Sequence, residues 1–439
     1  MIDPSIAFDE SQSSPNTGPV GRHLLPDSAV IETSGRLEIG GVDVVSVAEE
    51  FGTPVFIYDE ETIRARCRES LTAFGPGVAY ATKAFLCKAV AELVLEEGMC
   101  LDVSTQGEFE FAIAAGASAD RIVLHGNNKS DSELSSGFAL GVGRIVVDSF
   151  DEIRRIERIA GGSRPHQVLV RVNPGVEAHT HEFVATGKVD SKFGFSITSG
   201  AAESAIRALQ SIRGVEVIGV HAHVGSQILR LDAFERAVET LAPLVVKHDF
   251  SELCVGGGVG VAYLTEETSP SITEWAATVR AACLNAGIES TVRVTAEPGR
   301  AIVATAGMTC YRVGTIKELP GVRIYVSVDG GMSDNPRPVL YGSGYEAFLP
   351  RAGGAPRPYA ARIVGKHCES GDIVVAEARL PEDVAVGDVL STPVTGAYGF
   401  SMASNYNRVG RPPVVFVRDG TARTVVRRET TDDLLRLER

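Results

Sequence analysis

A repeat of strand and helix signals constrains this chain more than any other feature. Between residues 78 and 299 eight short apolar runs recur: VAYATKA (78–84), CLDVST (100–105), RIVLHG (121–126), RIVVDS (144–149), VLVRVNPG (168–175), VIGVHAHVG (217–225), ELCVGGG (252–258) and VRVTAEPG (292–299). Between them lie stretches of helical period, such as CKAVAELVLEEG at 87–98 and DEIRRIERIAGG at 151–162. The first five runs recur about every twenty-two residues, room for a strand, a helix and two short loops. Such alternation calls for a parallel sheet with helices outside it. An open doubly wound sheet uses the same units. The count of eight, and a polar or glycine-rich cluster after nearly every run, favour closure into a TIM-like (β/α)8 barrel, whose strand ends share one mouth where chemistry is done.

After Arg300 the pattern changes to β-branched alternation without long helices, in VRIYVSVDGG (322–331), DIVVAEARL (372–380), DVLSTPV (388–394), PVVFVRDG (413–420) and RTVVRRE (423–429). The expected division is a mobile tail over 1–28, a segment at 29–49 that lends a strand near 36–40 to the β domain, a barrel over 50–305, and a C-terminal antiparallel β domain over 306–439. The two ends of the chain would then meet.

With 439 residues, two domains are the default. A net charge of −14 argues against a nucleic-acid backbone or an anionic membrane as partner. The first residues lack a basic and apolar leader, and no apolar stretch reaches membrane-spanning length, so a cytoplasmic protein is expected. Seven cysteines (67, 87, 100, 254, 283, 310 and 368) have no CxxC spacing, which suggests neither a disulfide framework nor a zinc knuckle.

Lys83 ends the first run and stands at the mouth. Its aromatic and apolar neighbours predict a partly desolvated amine whose neutral, nucleophilic form is favoured, suited to a Schiff base with an aldehyde cofactor. VGGGVG (255–260) and EPGR (297–300) follow the seventh and eighth runs, the habitual phosphate site of such barrels. Glycines that only close a tight turn are the bland alternative. In HAHVGSQ (221–227), alternation puts His221 and His223 on one face, so a metal pair is the first possibility. The later strand ends offer glycine and glutamate instead of further ligands, so no metal is expected. His221 reads as a satisfied core histidine, His223 as a stacking partner for a cofactor ring, and Ser226 as a phosphate contact. HTH at 179–181 is a second possible metal pair or simply polar loop.

The ordered motifs YATKA, DVSTQGE, HGNNKS, TG…DSKFGF, GVHAHVGSQ, GGGVG, EPGR, DGGMSDNPRPVLY, CESGD and GAYGFSMASNYN resemble the fold-type III pyridoxal-phosphate decarboxylases over residues 50–439. Within them the likeness is greatest to the branch that releases CO2 from meso-2,6-diaminopimelate to leave L-lysine. A related decarboxylase or racemase for another diamino acid is the alternative. The resemblance implies pyridoxal 5'-phosphate held by Lys83, with His223 on its ring and Glu297 at its pyridine nitrogen. Ser226, Gly256, Gly257, Gly258, Gly299, Arg300 and Tyr398 would surround the phosphate. Arg300, Arg337, Tyr341 and Tyr398 would bind the substrate, Glu369 taking its far amino group. Cys368, the implied proton donor, would reach with Glu369 into the site of a neighbouring subunit, making a homodimer with shared sites. The charges agree, since Arg337 with Glu369 suits a tail bearing both carboxylate and ammonium and would repel a purely cationic one. One departure is Gln106, where the family usually has glycine.

Overall fold

The computed structural model describes residues 17–161, 165–176 and 191–439. Eight parallel strands form the barrel in chain order: Ala79–Ala81, Cys100–Val103, Ile122–Leu124, Arg144–Val147, His166–Asn173, Val215–His221, Glu252–Cys254 and Arg293–Thr295. Each expected run holds one of them. Closure comes from the first and last strands, where Ala79 N–H donates to Ala296 C=O (3.0 Å) and Ala81 N–H to Pro298 C=O (3.2 Å).

Alternation sorts the barrel interior into layers. At the N-terminal end Glu252, 1% exposed, accepts from Arg144 Nε and, at 3.1 Å, from Thr295 Oγ1. Above it Ala79, Cys100, Val123, Val146, Leu169, Ile218 and Cys254 form an apolar plug. Two residues further along their strands stand Ala81, Asp102, His125, Arg171 and, past a register shift between Val217 and Gly219, His221. The period of two thus carries polar side chains to one end of an apolar core. Outside, helices begin at side-chain caps such as the Ser130–Glu133 and Ser271–Glu274 boxes.

The second sheet has eight strands and is mainly antiparallel. At its centre Gly307–Leu319 pairs with Val389–Thr392, Arg323–Val328 and Val55–Asp59. Two pairings are parallel, Val55–Asp59 with Val414–Arg418 and Arg323–Val328 with Tyr359–Val364. This corrects two expectations. The strand that the N-terminal region gives this sheet is Val55–Asp59, inside the span assigned to the barrel, because all five of its residues are buried as a central strand requires. Leu37–Ile39 instead joins Val30–Ile31 and Val42–Asp43 in a small separate sheet, tied to the larger one where Gly420 N–H donates to Gly40 C=O at 2.8 Å.

The tail expectation also ends early. Residues 1–16 lie outside the described residues, but Val20, Leu24 and Leu25 are buried, and Arg357 donates to the carbonyls of Thr17 (2.7 Å) and Gly18 (2.9 Å). Among the described residues no helix is long and apolar enough to cross a membrane.

Candidate functional site

A cavity of about 390 Å3 opens at the C-terminal mouth of the barrel. Lys83, Ser226, His223, Gly257, Gly258, Glu297, Gly299, Arg300 and Tyr398 line it, as do His221 and the unanticipated Asp102, His125, Arg171 and Phe193.

Lys83 sits in the short turn Thr82–Ala84 that ends the first strand. The desolvation expected of it is corrected: Thr82, Ala84 and Phe85 are buried, but Lys83 itself is exposed to the cavity. Its support comes from both domains. Thr82 Oγ1 donates to Asp102 C=O (2.7 Å) and Tyr80 Oη to Phe85 C=O (2.7 Å). Ala84 C=O accepts from Tyr398 N–H (2.8 Å) and Ser401 Oγ (3.2 Å). Phe85 stacks on Tyr58 with centroids 4.6 Å apart and meets Phe400 edge-on at 5.7 Å.

Glu297 forms the floor. His125 Nε2 lies 2.8 Å from one of its oxygens and His221 Nε2 2.9 Å from the other. Burial disfavours charge on Glu297, but the two imidazoles outweigh it and hold the carboxyl well below the usual carboxylate range. Burial brings His221 down to about 4, so it donates as a neutral ring. His125 is also disfavoured by burial, yet Asp102, 3.7 Å away, and Glu297 raise it. Asp102 is pushed up to about 6, chiefly by burial, with His125 opposing and Glu297 adding to the rise. The expectation of a backbone-satisfied His221 therefore needs correcting: its partner is Glu297, and its Nδ1 is buried without a hydrogen bond among the described residues. His125, His221 and Glu297 are close enough to hold a metal ion, but the two imidazole–carboxylate bonds complete the set without one. His179 and His181 lie outside the described residues.

His223 accepts Gly257 N–H at Nδ1 (3.1 Å), and burial together with the Lys83 charge keeps it well below the usual histidine range. Its ring is neutral with the proton on Nε2. Gly257 N–H thus holds an imidazole instead of pointing into the cavity. Gly256, at φ 66°, is required by close approach, because a Cβ there would stand 2.4 Å from Ala222 C=O, and it does not line the cavity.

Arg300 and Tyr398 line one wall, and a layer of guanidinium and phenol groups is packed behind them. Arg300 donates to Tyr263 Oη and to Ser226 Oγ (3.0 Å), with Tyr398 under its cation at 4.8 Å. Arg337 donates to Tyr345 Oη and lies 4.3 Å from the Tyr263 ring centroid. Tyr263 and Tyr345 meet edge-on at 5.1 Å. These two tyrosines went unread in the sequence; their signal is only an aromatic after GGGVG and another after RPVLY. Arg300 and Arg337 are 8% and 4% exposed, and neither makes an ion pair among the described residues. Arg300 Nε is buried with no hydrogen bond among the described residues. Desolvated cations without a counter-charge make a receptor for anions.

Of the expected residues, Gly256 and Arg337 do not line this cavity, Arg337 being set against the Tyr263 ring, and three more stay away from it. Tyr341 ends the short helix Arg337–Tyr341, half-buried and outside the lining. Cys368 and Glu369 are exposed on a turn of the β domain. Gln106 also stays away from it, its Nε2 donating to Glu110 at 3.0 Å.

Comparisons with known proteins agree with this geometry. The family described as "Pyridoxal-dependent decarboxylase, pyridoxal binding domain" matches residues 60–304. A diaminopimelate decarboxylase of Mycobacterium tuberculosis is 46% identical over 437 residues, covering 95% of this chain and 98% of that protein. One from Actinosynnema pretiosum is 47% identical over 92% of this chain and 93% of its own length. Among solved structures, the diaminopimelate decarboxylase of M. jannaschii in complex with L-lysine superposes with a TM-score of 0.86 at 31% identity, covering 94% of this chain and 98% of that one. With an amine, a buried carboxylate and unpaired guanidiniums at one barrel mouth, and likeness along nearly its whole length, the chain belongs to the pyridoxal-dependent decarboxylases and, within them, to the diaminopimelate decarboxylase family.

Proposed function

We propose that the chain removes CO2 from meso-2,6-diaminopimelate to give L-lysine, using pyridoxal 5'-phosphate, and that it works in the cytoplasm as a homodimer with shared sites. The observation that carries this reading is the buried Arg300 guanidinium, which lines one cavity with the Lys83 amine and is linked through Tyr263 to the buried Arg337, neither arginine having an ion-pair partner among the described residues.

The residues present fit the cofactor. Its aldehyde needs an amine, and Lys83 opens onto the cavity. Its ring nitrogen needs an anion, and Glu297 is ionised at the floor. Its phosphate needs a cation with a free donor, and Arg300 Nε has no partner among the described residues. A volume near 390 Å3 suits a ring with its phosphate arm. When bound, pyridoxal phosphate supplies the electron sink that cleavage of a Cα–carboxylate bond requires.

The protein's own residues do the rest. Lys83 would hold the aldehyde, its amine opening onto the cavity where substrate enters. Glu297, kept anionic by His125 and His221, favours a protonated ring nitrogen through opposite charge. His223, neutral and fixed by Gly257, offers a flat face for stacking. Ser226, Gly257, Gly258, Gly299 and Tyr398 surround the phosphate with Arg300. Arg337 grips the far carboxylate by planar hydrogen bonds, and this fixed grip turns the scissile bond relative to the ring. Tyr263 spaces the two guanidiniums. Cys368 and Glu369 of a second subunit complete the site, the first returning a proton to Cα and the second holding the far ammonium.

The test is an assay of meso-diaminopimelate and ornithine in parallel, scoring CO2 and lysine, for the native protein and Arg337→Ala. Loss of at least about a hundredfold in kcat/KM on diaminopimelate, with ornithine poor for both, is expected for a desolvated charge pair. Equal use of ornithine by the native protein would overturn the substrate. Lys129 makes a poor control, since it is buried on Glu152 at 2.8 Å; Arg230, 81% exposed, is the better one.

A further inference from the structure

The exposed turn bearing Cys368 and Glu369 has a buried base, and that base is bonded to the loop that leads into Arg337. Lys366 N–H donates to Gly330 C=O at 2.9 Å. Asp372 receives Met332 N–H at one carboxylate oxygen (2.6 Å) and His367 N–H at the other (2.8 Å). Its side chain fills a slot between two glycines: a Cβ at Gly331 or Gly365 would stand 2.4 or 2.1 Å from an Asp372 oxygen. His367 Nδ1 donates to Asn407 Oδ1 (2.9 Å), and its Nε2 is hydrogen-bonded to Ser333 Oγ (2.8 Å). Ser404 N–H donates to Ser333 C=O at 2.8 Å and closes the set. Ser333, His367 and Asp372 are 4%, 8% and 3% exposed. Cys368 and Glu369 stand at the solvent side of this base. Arg337 starts its helix four residues after Ser333.

We infer that His367 and Asp372 are positioning residues that lock the Cys368–Glu369 turn to the Arg337 loop, so that what a chain lends to its neighbour's site is held in register with what it uses in its own. The inference rests on the shared-site reading above. It makes the two sites of a dimer mechanically linked: strain at the far-carboxylate grip of one site reaches the proton donor of the other through buried hydrogen bonds, which resist deformation because breaking one leaves a desolvated group unpaired.

Mixed dimers separate the two ends of this link. When a Lys83→Ala chain pairs with a Cys368→Ala chain, one intact site forms, from Lys83 and Arg337 of the second chain and Cys368 of the first. Placing His367→Ala in the first chain should lower kcat about tenfold, because that chain lends Cys368, and raise KM at the same time through the Glu369 it also lends. Placing it in the second should raise KM for diaminopimelate about tenfold, the scale of one lost buried hydrogen bond in each case. His367→Asn, which keeps one of the two side-chain bonds, should recover part of both losses. Should the His367→Ala chain fail to fold, Ser333→Ala removes the same bond from the other side and must give the same split. Kinetic constants that stay at the parent values, or that change identically whichever chain carries the substitution, overturn the inference and leave the base a purely structural feature. A parent mixture with no activity at all overturns the shared-site reading first, and the inference with it.

Discussion

Two buried aspartates set the same demand on pH. Burial pushes Asp102 from an ordinary 3.8 up to about 6, and Asp334, which accepts Tyr311 Oη at 2.7 Å, up to about 7. A carboxyl that binds its proton more tightly folded than unfolded stabilises the fold fully below pH ~4, and that contribution is lost as pH rises through the folded value. Between pH ~4 and ~7 these groups therefore subtract stability, and Asp334→Asn should flatten the fall of melting temperature over that window; an unchanged slope would show that another group titrates there. Tyr263 makes a second prediction. Tyr263→Phe keeps the ring under Arg337 and removes the acceptor for Arg300, so KM for diaminopimelate should rise about tenfold with kcat within about twofold, checked by steady-state kinetics. At this scale Lys83, His223, Ser226, Glu297 and Arg300 were legible because each ends a strand pattern or sits in a short motif. Tyr263, Tyr345 and His125 were not, because their roles depend on partners 37, eight and 172 residues away or on burial that no local pattern encodes.

The eight barrel strands were legible as elements because each is short, apolar and followed by a polar cluster, and because an amphipathic stretch separates it from the next. The strand Val55–Asp59 was not. Its residues are buried on both faces, so it carries no alternation, and its partners lie near residues 307 and 414. That strand also reaches the site: Tyr58 stacks on Phe85 beside Lys83 and donates to Gly396 C=O at 2.7 Å. Tyr58→Leu removes the stack and the hydrogen bond, and should cost about 2–4 kcal/mol in urea unfolding while weakening the lysine–cofactor absorbance band. An unchanged band would mean that the Lys83 turn is held by the barrel alone.

Taken as a whole, the molecule keeps its two sheets in one frame through charge as well as packing. Glu60, which begins the helix Glu60–Phe74, accepts from Arg64 of its own helix and from Arg418 and Arg423 of the β domain. The proposed dimer is the scale at which the site becomes complete, since Cys368 and Glu369 are exposed and away from the cavity of their own chain. Mixing Lys83→Ala and Cys368→Ala chains should restore about a quarter of native activity, because half of randomly paired dimers are mixed and each holds one intact site of two. Activity that stays at the level of the separate variants would show that each chain works alone.

What the residues determined by themselves was everything that repeats or sits in a short motif: the barrel, the change of architecture after Arg300, and the amine, carboxylate and guanidinium that meet in one cavity. Periodicity is a local consequence of strand and helix geometry, so it survives in one dimension. What the tertiary structure decided was which distant groups meet: the clamp of His125 and His221 on Glu297, the tyrosines between two arginines, and the strand that crosses from the N-terminal region into the β domain. Those depend on chain closure over tens to hundreds of residues, and a buried polar group declares its partner only once the fold has taken water away from both.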